Sequence, residues 1–159
     1  MSDRPLRTWR HFLMIALLVL PLSGWAQSYV GKVCMISTVT TRQQGPVTPE
    51  RFLLDFDVTN LGGTSYSVAG ALLSPPDQPM VATGAGTVVG GDLYLNVVMT
   101  QAHADGWMDT SINRTRISLA TMTGTFYEIG NDFNTVTRVY DHDRYTAGTV
   151  ELSLAACPR

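Results

Sequence analysis

The stretch RFLLDFDVTNLGGTSYSVAGALL, Arg51–Leu73, carries the fold class. Phe52, Leu54, Phe56 and Val58 alternate along it with Leu53, Asp55, Asp57 and Thr59. A period of two puts the first set on one side of an extended strand and the second on the other. Asn60-Leu61-Gly62-Gly63 then supplies turn residues, and Thr64–Leu73 runs extended again, with Tyr66, Val68 and Leu72 on one parity. The segment reads as a hairpin with one face turned inward.

The same grammar continues on both sides. Met80–Val89 and Leu93–Thr100 flank Gly90-Gly91-Asp92, which has the composition of a tight hairpin turn. Ser74-Pro75-Pro76-Asp77 stops the preceding strand, because proline cannot donate within a central ladder. Tyr29–Thr41 comes before, and Ser111–Ala120, Met122–Gly130, Thr135–Tyr140 and Thr149–Ala155 come after a polar loop, QAHADGWMD. These make nine strand candidates, of which one or two are expected to be fragments. No window beyond the N-terminal segment has amphipathic helical spacing. The expected class is all-β, an antiparallel up-and-down meander forming a single domain over residues 27–159.

Residues 1–26 read as a cleavable signal peptide. Arg4, Arg7 and Arg10 precede the apolar run FLMIALLVL (Phe12–Leu20), Pro21 breaks it, and Gly24 and Ala26 supply small residues for cleavage after Ala26. The run is shorter than the ~20 residues that span a bilayer, so no membrane anchor is expected after cleavage. The predicted location is exported, periplasmic or extracellular. The remaining chain has eight bases against twelve acids and no basic cluster, which leaves no electrostatic footprint for nucleic acid.

Cys34 and Cys157 stand near the two ends of that remaining chain. In an exported protein such a pair is expected to be bonded. An eight-stranded closed meander makes its first and last strands neighbours, and a disulfide needs Cα atoms within roughly 7 Å. The pair therefore favours a closed barrel with one disulfide across the seam, both thiols on the outer face. A sandwich would also bring the ends together.

A short meander of this strand number and length resembles, in architecture, the calycin-like barrels typified by lipocalins, fatty-acid-binding proteins and avidins. Lipocalins carry glycine and tryptophan in the first strand, whereas this strand reads SYVGKVCM, so no binding residue is carried over. The resemblance implies a barrel holding a small apolar or amphipathic molecule.

Function is expected to divide on whether the lumen is hollow. A hollow barrel would bind such a ligand, with Phe56, Tyr66, Phe126 and Trp107 as candidate lining residues. A packed barrel would act on a protein partner through its loops, as an interaction or inhibitor module. Inward Gly70, Gly84, Gly86 and Gly124 either leave room for a ligand or relieve crowding where strands bend. Two polar loops, His103–Asp109 and Asp132–Arg144, hold the remaining chemistry-bearing side chains. Their histidines, His103 and His142, lack a recognised ligand spacing, and no nucleophile-elbow motif is present. The expectation is therefore a protein that is not an enzyme and uses no metal or cofactor. Asn113-Arg114-Thr115 is a glycosylation acceptor triplet of eukaryotic secretory pathways.

Overall fold

The computed structural model describes residues 27–43, 47, 49–74 and 80–158, with the backbone alone for 141–143. The expected signal peptide and the proline stop at 75–77 lie outside the described residues. Eight antiparallel strands follow one another: β1 (Ser28–Arg42), β2 (Glu50–Gly62), β3 (Ser65–Ser74), β4 (Val81–Val89), β5 (Asp92–Ala102), β6 (Trp107–Ser118), β7 (Thr123–Asn134) and β8 (Tyr140–Ser153). Each pairs with its sequence neighbours, and β1 pairs with β8, so the sheet closes into a barrel.

The alternation in Arg51–Leu73 is realised as read. Leu54, Phe56, Val68 and Leu72 are buried while Asp57 is exposed, and β2 and β3 pair through Phe56 opposite Gly70. The β4–β5 turn closes on Gly90 and Gly91, with φ of 60° and 88°. Positive φ at both central residues is what a two-residue hairpin requires, since its twist matches that of the strands.

The inward glycines answer to curvature. A β-carbon on Gly70 would lie 1.8 Å from the Asp55 carbonyl oxygen, and one on Gly124 would lie 1.8 Å from that of Arg116. No side chain fits there, because the neighbouring backbone comes too close. These positions let the strands coil tightly enough to close the barrel.

The floor of the barrel, at the end bearing the β2–β3, β4–β5 and β6–β7 turns, is packed. Met35, Phe56, Leu95, Val97, Ile117 and Val150 fill it, with Phe56 only 1% exposed. Each such side chain contributes roughly 1.5–3 kcal/mol by leaving water.

The disulfide joins Cys34 to Cys157, Cα atoms 4.7 Å apart, across a sequence separation of 123. Cys34 lies on β1, but Cys157 lies beyond the end of β8. The C-terminal segment crosses the outer face of β1, and the Cys157 N–H donates to Asp55 Oδ1 on β2 at 3.1 Å. It acts as a strap over the seam, and it explains why outward-facing Cys34 is buried.

The strands after Ala102 run longer than their polar composition predicts. Of the expected loop His103–Asp109, residues from Trp107 onward belong to β6. Most of the expected loop Asp132–Arg144 belongs to β7 and β8. Of the candidate strand Thr135–Tyr140, all but Tyr140, which opens β8, is instead the connection between them. There the Asn134 side chain accepts from the N–H groups of Val136 (3.0 Å) and Thr137 (2.8 Å), and Arg138 takes φ of 56°. An asparagine that caps the following backbone in this way makes a turn of a segment with a strand-like composition.

Candidate functional site

Above the packed floor the lumen is hollow. A cavity of about 560 Å³ reaches the rim at the end bearing the β1–β2, β3–β4, β5–β6 and β7–β8 connections. That volume lies in the range of small-molecule sites.

Its two walls differ. From β2 to β5 the lining is Phe52, Leu54, Leu72, Met80 and Met99, with Glu50 at the rim end of β2. From β6 round to β1 it is mainly polar, with Asp109, Ser111, Asn113, Glu128, Asp132, Arg144, Thr146 and Ser37, beside Val39 and Tyr145, and with Phe126 at the foot of β7. The polar wall follows from the alternation of β6. Arg114 and Arg116 stand two apart and exposed, so Asp109, Ser111, Asn113 and Thr115 must turn inward while Ile112 turns out, 49% exposed.

Local irregularities aim the charged groups. On β1, Val39 pairs with Gly148 and Thr41 with Ala147, leaving Thr40 as an extra residue. Such a bulge reverses side-chain parity, so Arg42 faces the cavity and pairs with Glu50. On β8, Gly130 pairs with Arg144 but Asp132 with Asp141, again one residue extra. Arg144 and Asp132 both line the cavity and form an ion pair. Both pairs are largely solvated and contribute little stability. Their effect is to hold charge at the rim.

Deeper in the wall a buried chain of hydrogen bonds runs inward. Thr115 Oγ1 donates to Asn113 Oδ1 at 2.6 Å, and Asn113 Nδ2 donates to Glu128 Oε2 at 3.0 Å. The carboxylate can only accept, which fixes the orientation of the amide. Asn113 is 2% exposed, so the acceptor triplet it begins is an internal hydrogen-bonding device of the folded barrel. Two other hydroxyls have no such partner. Ser37 (3% exposed) and Ser111 (5% exposed) both line the cavity, and neither Oγ has a hydrogen-bond partner among the described residues. A buried hydroxyl left unpaired costs about 1–3 kcal/mol, so such groups usually meet a ligand or water.

Among the candidate lining residues, Phe126 borders the cavity. Phe56 lies in the floor beneath it. Tyr66 sits near the β2–β3 turn, opposite Gly86, at the far end of the barrel. Trp107 opens β6 at the rim, half-buried, and is not part of the lining. His103 Nε2 lies 3.0 Å from Asp109 Oδ2, making a histidine–carboxylate pair at the mouth. Ser111 Oγ touches neither, so this pair is not assembled into a serine triad. Among the described residues no three His, Cys, Asp or Glu side chains group closely enough to hold a metal ion.

The polar wall was the part the sequence reading missed. The signal available was the Arg114–Arg116 spacing, since two exposed arginines of one parity assign the other parity to the lumen. Comparison with known protein families, with characterised proteins and with solved structures finds no match.

Proposed function

We propose that this protein binds one small amphipathic molecule in the upper lumen of its barrel, after export to a periplasmic or extracellular space. The single observation carrying this reading is a cavity with one apolar and one polar wall, whose lining residues Ser37 and Ser111 hold buried hydroxyls without a partner among the described residues. Pairing them with a ligand would recover the free energy lost on burying them bare. The apolar wall would take the hydrocarbon part of the same molecule. The disulfide is compatible with an exported protein, and the leader-like residues 1–26 support the same compartment. The role is one of binding rather than catalysis. The competing reading, a packed module acting on a protein through its loops, has no use for a hollow lined with unpaired polar groups.

Native mass spectrometry of protein purified from an exporting host tests this. The expected spectrum carries extra mass that is lost on denaturation. An apoprotein mass together with no binding of N-phenylnaphthylamine, a neutral fluorescent amphiphile, would overturn the reading.

A further inference from the structure

The carboxylates of the cavity are not equally matched. Glu50, Asp109, Glu128 and Asp132 line it, against the guanidinium groups of Arg42 and Arg144. Glu50 is held by Arg42, Asp132 by Arg144, and Asp109 lies against the His103 imidazole at 3.0 Å. Glu128 has one partner among the described residues, the neutral Asn113 amide at 3.0 Å. That bond orients the carboxylate without neutralising it.

The surroundings of Glu128 are open on the cavity side. Asn113 faces Glu128 across the β6–β7 ladder and Ser111 faces Gly130, so Ser111 and Glu128 are diagonal neighbours on one face. Gly130 differs from the glycines that close the barrel. A β-carbon there would meet nothing nearer than Ser111 Cβ, at 3.5 Å, an ordinary contact. No crowding demands the glycine; its missing side chain leaves a notch bordered by Ser111 Cβ, two residues from Glu128 on the same cavity-facing side of β7.

We propose that this notch seats a cationic head group, a protonated amine on Glu128, with the hydrocarbon part of the ligand along Phe52, Leu72 and Met99. The inference rests on the lumen-binding reading above and names its ligand class. An ammonium brings only donors, and the Glu128 carboxylate can only accept. It also supplies the charge that Glu128 lacks, in a site where partial desolvation strengthens the attraction. An anionic head group would meet Glu128 unscreened, while each guanidinium group is already paired with a carboxylate, Arg42 keeping only its buried Nε without a partner among the described residues. Charge-assisted hydrogen bonds contribute about 1.5–3 kcal/mol, which corresponds to roughly tenfold to hundredfold in affinity.

The test is displacement of bound N-phenylnaphthylamine by octylamine, octanol and octanoate near neutral pH and at one salt concentration. It is run on the unaltered protein and on Glu128→Gln, which keeps the shape and the bond to Asn113. Octylamine is expected to displace at a concentration at least roughly tenfold below octanol. That advantage should vanish in E128Q while octanol is unaffected. Equal displacement by octylamine and octanol, better displacement by octanoate, or an advantage that survives E128Q would overturn the cationic assignment and leave the lumen reading standing. If the probe itself fails to bind and native mass spectrometry finds only apoprotein, the lumen reading falls and takes this one with it. The ranking of the three competitors in the unaltered protein decides the matter even if the variant does not fold.

Discussion

The two walls of the lumen are built from the same secondary structure and obey the same alternation, yet they do opposite things. The β2–β5 wall turns aliphatic and aromatic side chains inward and merges with the packed floor. The β6–β8 wall turns Asp109, Ser111, Asn113, Glu128 and Asp132 inward and exposes Ile112 and Ile129. The first gains free energy from burial. The second gives some of it up, since buried polar atoms without partners oppose folding. Stability and the proposed recognition thus fall to different arcs of one barrel, the pattern expected if a binding site is maintained at the expense of the fold.

This division can be broken by mutation. The largest effect belongs to the floor, which continues the apolar arc: Phe56→Ala should lower unfolding free energy by about 3–5 kcal/mol, read from urea denaturation. A loss below about 1 kcal/mol would mean that the floor is not where stability resides. In the polar arc, Ser111→Ala should shift stability by no more than about 1 kcal/mol, and toward the more stable side, because it removes an unpaired hydroxyl. The same variant should bind amphiphiles more weakly, measured by probe titration. A marked loss of stability in this variant would show the two arcs to be energetically alike.

The smallest effect lies on the outer surface, where polarity is ordinary and the arcs should not differ. Asp57 on β2 accepts from the Tyr29 hydroxyl at 2.8 Å and from Lys32 Nζ at 3.1 Å. The Tyr29 hydrogen bond, then the Lys32 ammonium, hold its carboxyl below the usual value of 3.8. Folding therefore favours the ionised form. Its contribution is present above that usual value and is lost as pH falls through the depressed one. Comparing Asp57→Asn with the unaltered protein by urea midpoint at about pH 5 and at about pH 3 should show a difference that shrinks on acidification. A constant difference would assign the loss to packing.

The contrast between the arcs also explains what was readable in advance. In Arg51–Leu73 polarity marks the outside, so alternation, turn residues and inward parity all point the same way. The Gly90–Gly91 turn and the closing cysteine pair were legible for equally local reasons, in backbone conformation and in sequence separation. Between Trp107 and Thr146 the rule fails, because the interior there is itself polar. Asp109, Asp132 and Arg144 read as loop residues, yet they are strand residues facing the lumen. Tyr66 and Trp107 were aromatic and plausibly inward, but position along the strand axis places Tyr66 near the floor and Trp107 at the rim. A period of two gives the face and not the depth. Depth came from register, which turns, bulges and the closing pair set together.

Seven of the eight strand pairings join neighbours in sequence, and only the seam between β1 and β8 spans the whole chain. The hairpins can therefore form by local search, whereas the seam must bring together ends more than a hundred residues apart. The bond between Cys34 and Cys157 changes that step. Cys34 lies opposite Ser153 in the seam, so once the thiols are joined the last pairing becomes a zipper started from one end. Until the seam closes, β1 and β8 are two bare edges on an otherwise complete sheet, each a template for another chain. The interval between synthesis and closure of the seam, which the disulfide shortens, is when this barrel is most exposed to joining with its own copies.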